Sequence, residues 1–228
     1  MKLIKWENLP ENMKSDEVKY YYNKIKKRKI SLIFKRAFDI ITSLIMIIIL
    51  SPVLLIISAW IKLDSKGPVF FRQTRVTQYG KEFKIFKFRT MVNNADKIGT
   101  AVTTTGDSRI TNVGKKIRTL RIDEVPQLFN ILTGDMTFVG TRPEVPKYVD
   151  KYDPKMRATL LMPAGVTSLA SIKFKDEAEL LDNATDIDVA YVNEVLPKKM
   201  EYNLEEIENY RLSSDLKTMI NTVFAVIK

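Results

Sequence analysis

The sequence predicts a mainly helical α+β fold, and three observations support this prediction. Residues 40–61 form a stretch of 22 residues without a charged side chain, and a membrane helix needs about 20 such residues. An alternating hairpin pattern follows, and after it the apolar residues recur at helical spacing. We therefore expect a polar leader at residues 1–34, a membrane segment at 35–62 and a cytosolic domain on the membrane interface at 63–228.

The leader is polar and mixed in charge, and it contains three consecutive tyrosines, Tyr20, Tyr21 and Tyr22. Aromatic side chains of this kind are common at membrane–water interfaces. Residues 1–34 are therefore predicted to be a leader or an interfacial helix.

Pro52 interrupts the apolar run in the middle, where it removes a backbone hydrogen bond and should kink the helix. The hydroxyl of Ser51 could bond a carbonyl that is freed in this way. Positive charge marks the cytoplasmic side of a membrane segment, and both flanks are basic. These features favour a re-entrant membrane helix, broken at Ser51-Pro52, over a single-pass anchor with a proline kink, which stays the alternative. The basic residues are Lys24, Lys26, Lys27, Arg28, Lys29, Lys35 and Arg36 before the segment, and Lys62, Lys66, Arg72 and Arg75 after it.

The stretch GPVFFRQTRVTQYGKEFKIFKFRTM alternates apolar with basic side chains and carries turn signals at Gly67-Pro68 and Gly80. This pattern predicts a small β-hairpin. Because the hairpin follows the membrane segment directly, its basic side is expected to meet lipid headgroups or phosphate.

A short helix is predicted next, because Val125, Leu128, Phe129 and Leu132 fall at i, i+3, i+4 and i+7. Pro126 in the first turn and Gly134 just past the end are the usual start and stop signals. Further on, residues 155–162 (KMRATLLM) are predicted to be an interfacial amphipathic stretch. The acidic tail that begins at Asp176 is predicted to be a solvated helical cap that faces away from the lipid.

Composition narrows the possible chemistry. The net charge of +10 indicates anionic partners, such as nucleic acid, acidic lipid or phosphorylated substrates. The chain has no Cys and no His, so thiol nucleophiles, imidazole bases and ordinary zinc sites are excluded. The metal that suits the remaining oxygen ligands is Mg²⁺, which is bound by one or two carboxylates together with substrate phosphates.

The candidate site is the pair Asp123 and Glu124, which precedes the predicted helix within a basic cluster. A carboxylate pair in such a cluster could supply a nucleophile and a metal ligand, since neighbouring cations keep carboxylates ionised. An acidic pair at a helix start more often simply complements the helix dipole. No G-x-G-x-x-G or G-x-x-x-x-G-K-[ST] loop occurs, so the standard glycine-rich nucleotide sites are absent. The basic cluster consists of Lys115, Lys116, Arg118 and Arg121.

An ordered set of blocks resembles the monotopic phosphoglycosyl transferase family of bacterial sugar transferases. The resemblance covers about residue 35 to the C-terminus. The blocks are KRAFDI, the internal SP, GPVFFRQTRV, FKIFKFRTM, DSRITNVGKKIR, DEVPQLFNILTGDMTFVG and RPE.

The resemblance implies transfer of a sugar 1-phosphate from a UDP-sugar to a polyprenyl phosphate, such as undecaprenyl phosphate, with release of UMP. This would be the first membrane step of polysaccharide or glycoconjugate assembly, and residues 63–228 would be the catalytic domain. The expected place is the inner leaflet of the bacterial cytoplasmic membrane, on its cytoplasmic face. Nucleic acid is not expected as a partner, and the chain could form a homodimer.

The resemblance also implies roles for individual residues. Asp123 would attack the donor's β-phosphorus and form an aspartyl phosphosugar, while Glu124 would hold Mg²⁺. In the membrane part, the Ser51-Pro52 break would turn the helix back, with Asp39 near it. Lys35 and Arg36 would lie at the lipid headgroups, and the expected phosphate contacts are Lys87, Arg89, Arg118 and Arg142.

Two other classes of function remain as alternatives. A non-catalytic membrane scaffold could use the basic face to bind anionic lipid or nucleic acid, but it would have no use for Asp123 and Glu124 among the cations. The second alternative is a membrane phosphatase that acts on lipid phosphates, although the lack of His excludes a phosphohistidine mechanism.

Overall fold

One long helix and two small sheets organise the computed structural model, which describes residues 1, 3–95, 107–177 and 186–227. The predicted mainly helical α+β class is confirmed. The strands are β1 (Phe70–Val76), β2 (Glu82–Phe88), β3 (Met136–Val139) and β4 (Ala164–Thr167). The helices are α1 (Asp16–Lys26), α2 (Lys29–Asp64), α3 (Asn112–Thr119), α4 (Gln127–Thr133), α5 (Pro146–Val149), α6 (Leu169–Lys173), α7 (Ile187–Ala190), α8 (Leu196–Glu208) and α9 (Leu212–Ile227).

Helix α2 lies against the rest of the chain along its length. Its inward residues recur every three or four positions, which places them on one face of a helix. The opposite face is apolar and exposed, as at Ile48, Ile49 and Leu55. Among the described residues, α2 is the helix that is long and apolar enough, by length and composition, to cross a membrane. The inward residues include Leu32, Lys35, Asp39, Ser43, Met46, Ile47, Leu50, Leu54, Ile57 and Ile61.

The predicted break at Ser51-Pro52 is corrected, because α2 runs through both residues as one helix of 36 residues. Pro52 has no N–H to donate to the carbonyl of Ile48, four residues earlier. The Ser51 hydroxyl donates to that carbonyl instead, at 2.8 Å. The predicted role of Ser51 is therefore confirmed, but it keeps the helix continuous where we expected two separate helices.

The two sheets differ in how far the sequence predicted them. Strands β1 and β2 form the predicted antiparallel hairpin, in register from Phe70 opposite Phe88 to Val76 opposite Glu82. Strands β3 and β4 form a parallel pair that was not predicted. A side chain at Gly165 would lie 2.2 Å from the backbone nitrogen of Gly140, so only glycine permits the close approach beside this pair.

The N-terminal residues are not a separate leader. Leu9 and Met13 and one face of α1 are buried in the largest core cluster. They pack there with residues from α5, α8 and the 3₁₀ turn Met156–Leu161. The domain boundary expected near residue 34 therefore has no counterpart in the packing. The buried residues of α1 are Val18, Tyr21, Tyr22 and Ile25.

Two predictions of surface segments are wrong. Residues 155–162 are not interfacial, because Ala158 and Leu161 are fully buried in the core. The C-terminal tail is not only a solvated cap, because α9 exposes an apolar face and buries Asp215 on the other side. The exposed residues of α9 are Leu216, Ile220, Val223 and Phe224.

Candidate active site

A short 3₁₀ turn, Ile122–Glu124, carries the predicted carboxylate pair between α3 and α4. The chain enters the turn through Arg121, which has left-handed backbone geometry with φ 55°. The predicted helix α4 is confirmed, and Gly134 ends it with φ 97°. Both carboxylates line an open cleft of about 1860 Å³.

Helix α4 is fixed to the hairpin by a buried amide, that of Asn130. Its Nδ2 donates to the carbonyl of Lys84 at 3.1 Å, and its Oδ1 accepts from the backbone N–H of Phe86 at 2.8 Å. Both partners lie on β2, so this contact sets the turn that precedes α4 beside the end of β2. The carboxylates of Asp123 and Glu124 consequently meet the basic side chain of Lys87.

Glu124 is bound by two cations. Lys87 Nζ lies 2.8 Å from its Oε1, and the Arg142 guanidinium donates to Oε1 at 2.5 Å and to Oε2 at 3.2 Å. Burial alone would raise the pKa of Glu124, but Arg142 and Lys87 hold it well below its usual range. Glu124 is therefore a fixed anion.

Asp123 has the opposite environment. It is only 9% exposed, and its carboxylate accepts no hydrogen bond from any described residue. Burial raises its pKa, and the charge of Glu124 adds to this, while Lys87, Arg118 and Arg121 oppose it. Asp123 is thus an unbonded carboxylate that faces cations in the cleft, which is the state that suits a nucleophile.

The loop after β3 supplies Arg142. Gly140 anchors the loop by donating its N–H to the Thr167 carbonyl at 2.9 Å. Arg75 of β1 donates to the Pro143 carbonyl at 3.1 Å. The predicted residues Lys87, Arg118 and Arg142 therefore converge on one cleft with the carboxylate pair.

Arg89 also lines the cleft, but the structure gives it another contact that the sequence did not predict. Its Nη2 donates to the Ser65 carbonyl at 2.6 Å and to the Ile61 carbonyl at 3.3 Å, which caps the end of α2. Gly67 permits this approach, because an added Cβ would lie 2.0 Å from the Arg89 Nη1. In the part of the chain that the structure describes, the remaining nitrogens, Nε and Nη1, are buried without a partner.

The predicted headgroup residues at the start of α2 bind protein groups instead. Lys35 is 2% exposed, and its Nζ donates to the Asp215 carboxylate at 2.5 Å and to the Val139 carbonyl at 2.9 Å. Arg36 donates to the Ile131 and Leu132 carbonyls and thereby caps the C-terminal end of α4. The headgroup contact predicted for Lys35 is therefore wrong, because the inward face of α2 buries it.

Asp39 likewise faces the protein. Its carboxylate accepts from the Thr137 hydroxyl at 2.8 Å and from the Phe138 N–H at 3.3 Å. Both partners lie on β3, so Asp39 joins the membrane helix to the parallel strand pair. It lies three helical turns before Ser51, not beside it.

Gln127 is a residue of the cleft that the sequence analysis missed. Its side chain is 1% exposed, and neither amide atom has a hydrogen-bond partner among the described residues. The available signal was its position, since it is the polar residue among the apolar ones that begin α4, four residues after Asp123.

Asp123 and Glu124 fit a Mg²⁺ ion that is also bound by a substrate. They do not form a metal site made of protein ligands alone. In the described ranges, no group of three or more Asp, Glu, His or Cys side chains could hold a metal. Glu124 binds two cations, but its Oε2 accepts only one hydrogen bond from the described residues, and Asp123 is unbonded. Mg²⁺ commonly combines one or two carboxylates with phosphate oxygens and water, which matches this donor set.

Most of the chain is similar to known proteins. A family model described as bacterial sugar transferase matches residues 30–228. The UDP-glucose:undecaprenyl-phosphate glucose-1-phosphate transferase of Klebsiella pneumoniae is 38% identical over 201 residues, which are 86% of this chain and 40% of that protein. The UDP-N-acetylgalactosamine-undecaprenyl-phosphate N-acetylgalactosaminephosphotransferase of Aeromonas hydrophila is 35% identical over 196 residues, 85% of this chain and 43% of that protein.

A relative of similar length also matches. The exopolysaccharide production protein ExoY of Sinorhizobium fredii is 31% identical over 214 residues, which are 87% of this chain and 88% of that protein. By contrast, the chain spans about two-fifths of the length of the Klebsiella and Aeromonas proteins.

Proposed function

This chain belongs to the bacterial sugar transferase family, and on that premise we propose that it transfers a sugar 1-phosphate from a UDP-sugar to undecaprenyl phosphate. The proposed products are UMP and an undecaprenyl diphosphate sugar, as in the first membrane step of polysaccharide assembly. The names of the Klebsiella and Aeromonas relatives support the two substrate classes.

The observation that carries the proposal is the contrast between two adjacent carboxylates. Glu124 is held by Lys87 and Arg142, while Asp123 is unbonded in the same cleft. A scaffold that binds anions would need its cations free, yet here Glu124 occupies two of them. The arrangement therefore favours an enzyme over the scaffold.

In the proposed first step, an Asp123 carboxylate oxygen attacks the β-phosphorus of the UDP-sugar. A bond forms from Asp123 to that phosphorus as the bond to the UMP oxygen breaks, which leaves an aspartyl phosphosugar. In the second step, a phosphate oxygen of undecaprenyl phosphate attacks the same phosphorus and displaces the Asp123 carboxylate. The carboxylate thus splits one displacement into two easier ones.

The cations of the cleft serve both steps. Arg118 lies on the same cleft as Asp123, and its charge favours the ionised carboxylate. Lys87 and Arg142 are fixed in place by Glu124, so they are oriented before substrate binds and can stabilise the developing phosphoryl charge. Mg²⁺, when bound, would neutralise diphosphate charge, with the carboxylate of Glu124 or Asp123 as its protein ligand.

We propose that α2 lies in the inner leaflet of the cytoplasmic membrane as one continuous helix, with both of its ends on the cytoplasmic face. Both ends of α2 contact the same folded body, Lys35 through Asp215 and Ile61 through the Arg89 guanidinium. The exposed apolar faces of α2 and α9 supply the surface that would contact lipid. The cleft would then be open to a soluble nucleotide and to a lipid phosphate.

The test is UMP release by purified protein from UDP-glucose and UDP-N-acetylgalactosamine, with undecaprenyl phosphate and Mg²⁺. Asp123→Asn should abolish UMP release. Asp150→Asn should not abolish it, because Asp150 is an exposed residue at the end of α5. With donor alone, the wild type should gain the mass of one sugar phosphate on Asp123. Normal turnover by Asp123→Asn would refute the nucleophile, and activity in excess chelator would remove the role of Mg²⁺.

A further inference from the structure

The side chain of Gln127 is a buried amide in the wall of the cleft. It is 1% exposed, it belongs to the cleft wall, and within the described ranges both its Oε1 and its Nε2 lack a hydrogen-bond partner. A buried polar group without a partner destabilises the fold, and such groups are rare in native proteins. An unpaired amide at this place therefore calls for a function.

The same helix shows that a buried amide can be satisfied here. Asn130, three residues later, is 2% exposed and uses both its Nδ2 and its Oδ1 in bonds to β2. Gln127 differs in belonging to the wall of the cleft, so a substrate that shifts this wall on binding can take the place of protein partners.

Its position relates it to the reacting atoms. Gln127 follows Asp123 by four residues and Glu124 by three, across a 3₁₀ turn that leads directly into α4. Both residues line the same cleft, so a substrate bound there can contact the carboxylate and the amide together.

We propose that Gln127 is a specificity residue that hydrogen-bonds the substituent on carbon 2 of the donor sugar. This inference rests on the proposed function. A phosphate oxygen only accepts hydrogen bonds, so it could satisfy Nε2 but not Oε1. A hydroxyl or an acetamido group both donates and accepts, and the group on carbon 2 is the nearest such substituent to the phosphorylated carbon 1.

The first test changes the enzyme and the donor sugar separately and together, in the manner of a double-mutant cycle. The wild type and Gln127→Met, which keeps the length of the side chain but not its polar atoms, are each assayed with UDP-glucose and UDP-2-deoxyglucose. The pair UDP-N-acetylgalactosamine and UDP-galactose is measured in the same way. In the wild type, loss of the preferred carbon 2 group should lower kcat/KM at least about tenfold. In Gln127→Met, the kcat/KM values of the two donors of a pair should differ by less than about twofold.

Thermal unfolding distinguishes this role from a structural one. Gln127→Met should raise Tm, because it removes an unpaired buried amide, while Asn130→Leu should lower Tm, because it leaves the β2 groups unpaired. A lower Tm for Gln127→Met would mean that the amide supports the fold, and this would overturn the inference.

The kinetic outcomes separate the inference from the proposed function. If the wild type turns over and Gln127→Met discriminates between the paired donors as the wild type does, the inference fails alone. If the wild type releases UMP from none of the four nucleotides, the proposed function fails and the inference falls with it.

Discussion

Adjacent carboxylates with opposite environments define the chemistry at the scale of single residues. Lys87 and Arg142 bind Glu124, so they are not available to form bonds with Asp123. The pKa of Glu124 is consequently lowered and that of Asp123 is raised by burial. Environments that push two titratable groups apart in this way commonly assign them different roles.

The raised pKa of Asp123 predicts that Asp123→Asn stabilises the fold at neutral pH. An acid whose folded pKa lies above its unfolded value, about 3.9, destabilises the folded state once the pH exceeds the folded pKa. The isosteric amide removes that cost, so its free energy of unfolding should exceed that of the wild type at pH 7. At pH 4 the gain should be smaller than at pH 7, because on acidification the carboxyl takes up its proton in the folded state before it does so in the unfolded chain.

Denaturant unfolding in detergent micelles at the two pH values measures this difference. Asp150→Asn is the matched control, since Asp150 is exposed and should show no gain at either pH. A lower stability of Asp123→Asn at pH 7 would show that the cations stabilise the ionised Asp123 more than burial penalises it.

Residue identity was easier to predict than residue environment. Asp123, Glu124, Lys87 and Arg142 follow from their motifs, and they meet in the cleft. The buried state of Lys35 could not be predicted, because its partner Asp215 is 180 residues away in the sequence. Gln127 carries no sequence signal of its own beyond its spacing from Asp123.

At the scale of elements, α2 shows how a proline is accommodated in an apolar helix. The Ser51 hydroxyl donates to the carbonyl of Ile48, because Pro52 has no N–H to donate to it. The bond lies on the exposed face, where in a membrane no water would replace it.

A pair of substitutions tests this compensation. Ser51→Ala should lower the free energy of unfolding by about 0.5–1.5 kcal/mol, because the Ile48 carbonyl loses its donor. In the Pro52→Ala background the same change should cost much less, since the new N–H at position 52 can bond Ile48. The free energy of unfolding is measured in detergent micelles for the wild type, both single variants and the double variant. If Ser51→Ala lowers it equally with Pro52 and with Ala at position 52, Ser51 does not compensate for Pro52.

Elements with strong local patterns were predicted well, and long-range pairings were not. The hairpin β1–β2 was predicted from the alternation of apolar and basic residues and from its turn residues. Helix α4 was predicted from apolar residues at i, i+3 and i+4. Strands β3 and β4 have four residues each and pair across a long connection. Such short strands carry little periodicity, so their parallel pairing depends on packing that the sequence does not display.

At the scale of the whole molecule, the membrane helix is a part of the core. Its inward face contacts α3, α4 and β3, and both of its ends are bonded to the body. A body that holds both ends of α2 favours an arrangement with both ends on one side of the membrane over a single crossing, which would separate them.

Single cysteines test this topology cleanly, because the chain has none of its own. Lys26→Cys, at the end of α1, and Glu82→Cys, at the start of β2, are exposed positions on opposite sides of α2 in the sequence. In sealed inside-out membrane vesicles, both should react with an impermeant maleimide. Reaction of one but not the other would show that α2 spans the membrane.

The ion pair between Lys35 and Asp215 also has a consequence for how the protein is made. Asp215 leaves the ribosome 180 residues after Lys35, which at about 5–20 residues per second is roughly 9–36 s later. In the proposed membrane location, the nascent α2 would meet the lipid during that interval with Lys35 unpaired, before all of the sheet residues that bond the helix have been synthesised. A ribosome that stalls before position 215 would then leave a charged, half-packed helix as a substrate for quality-control proteases.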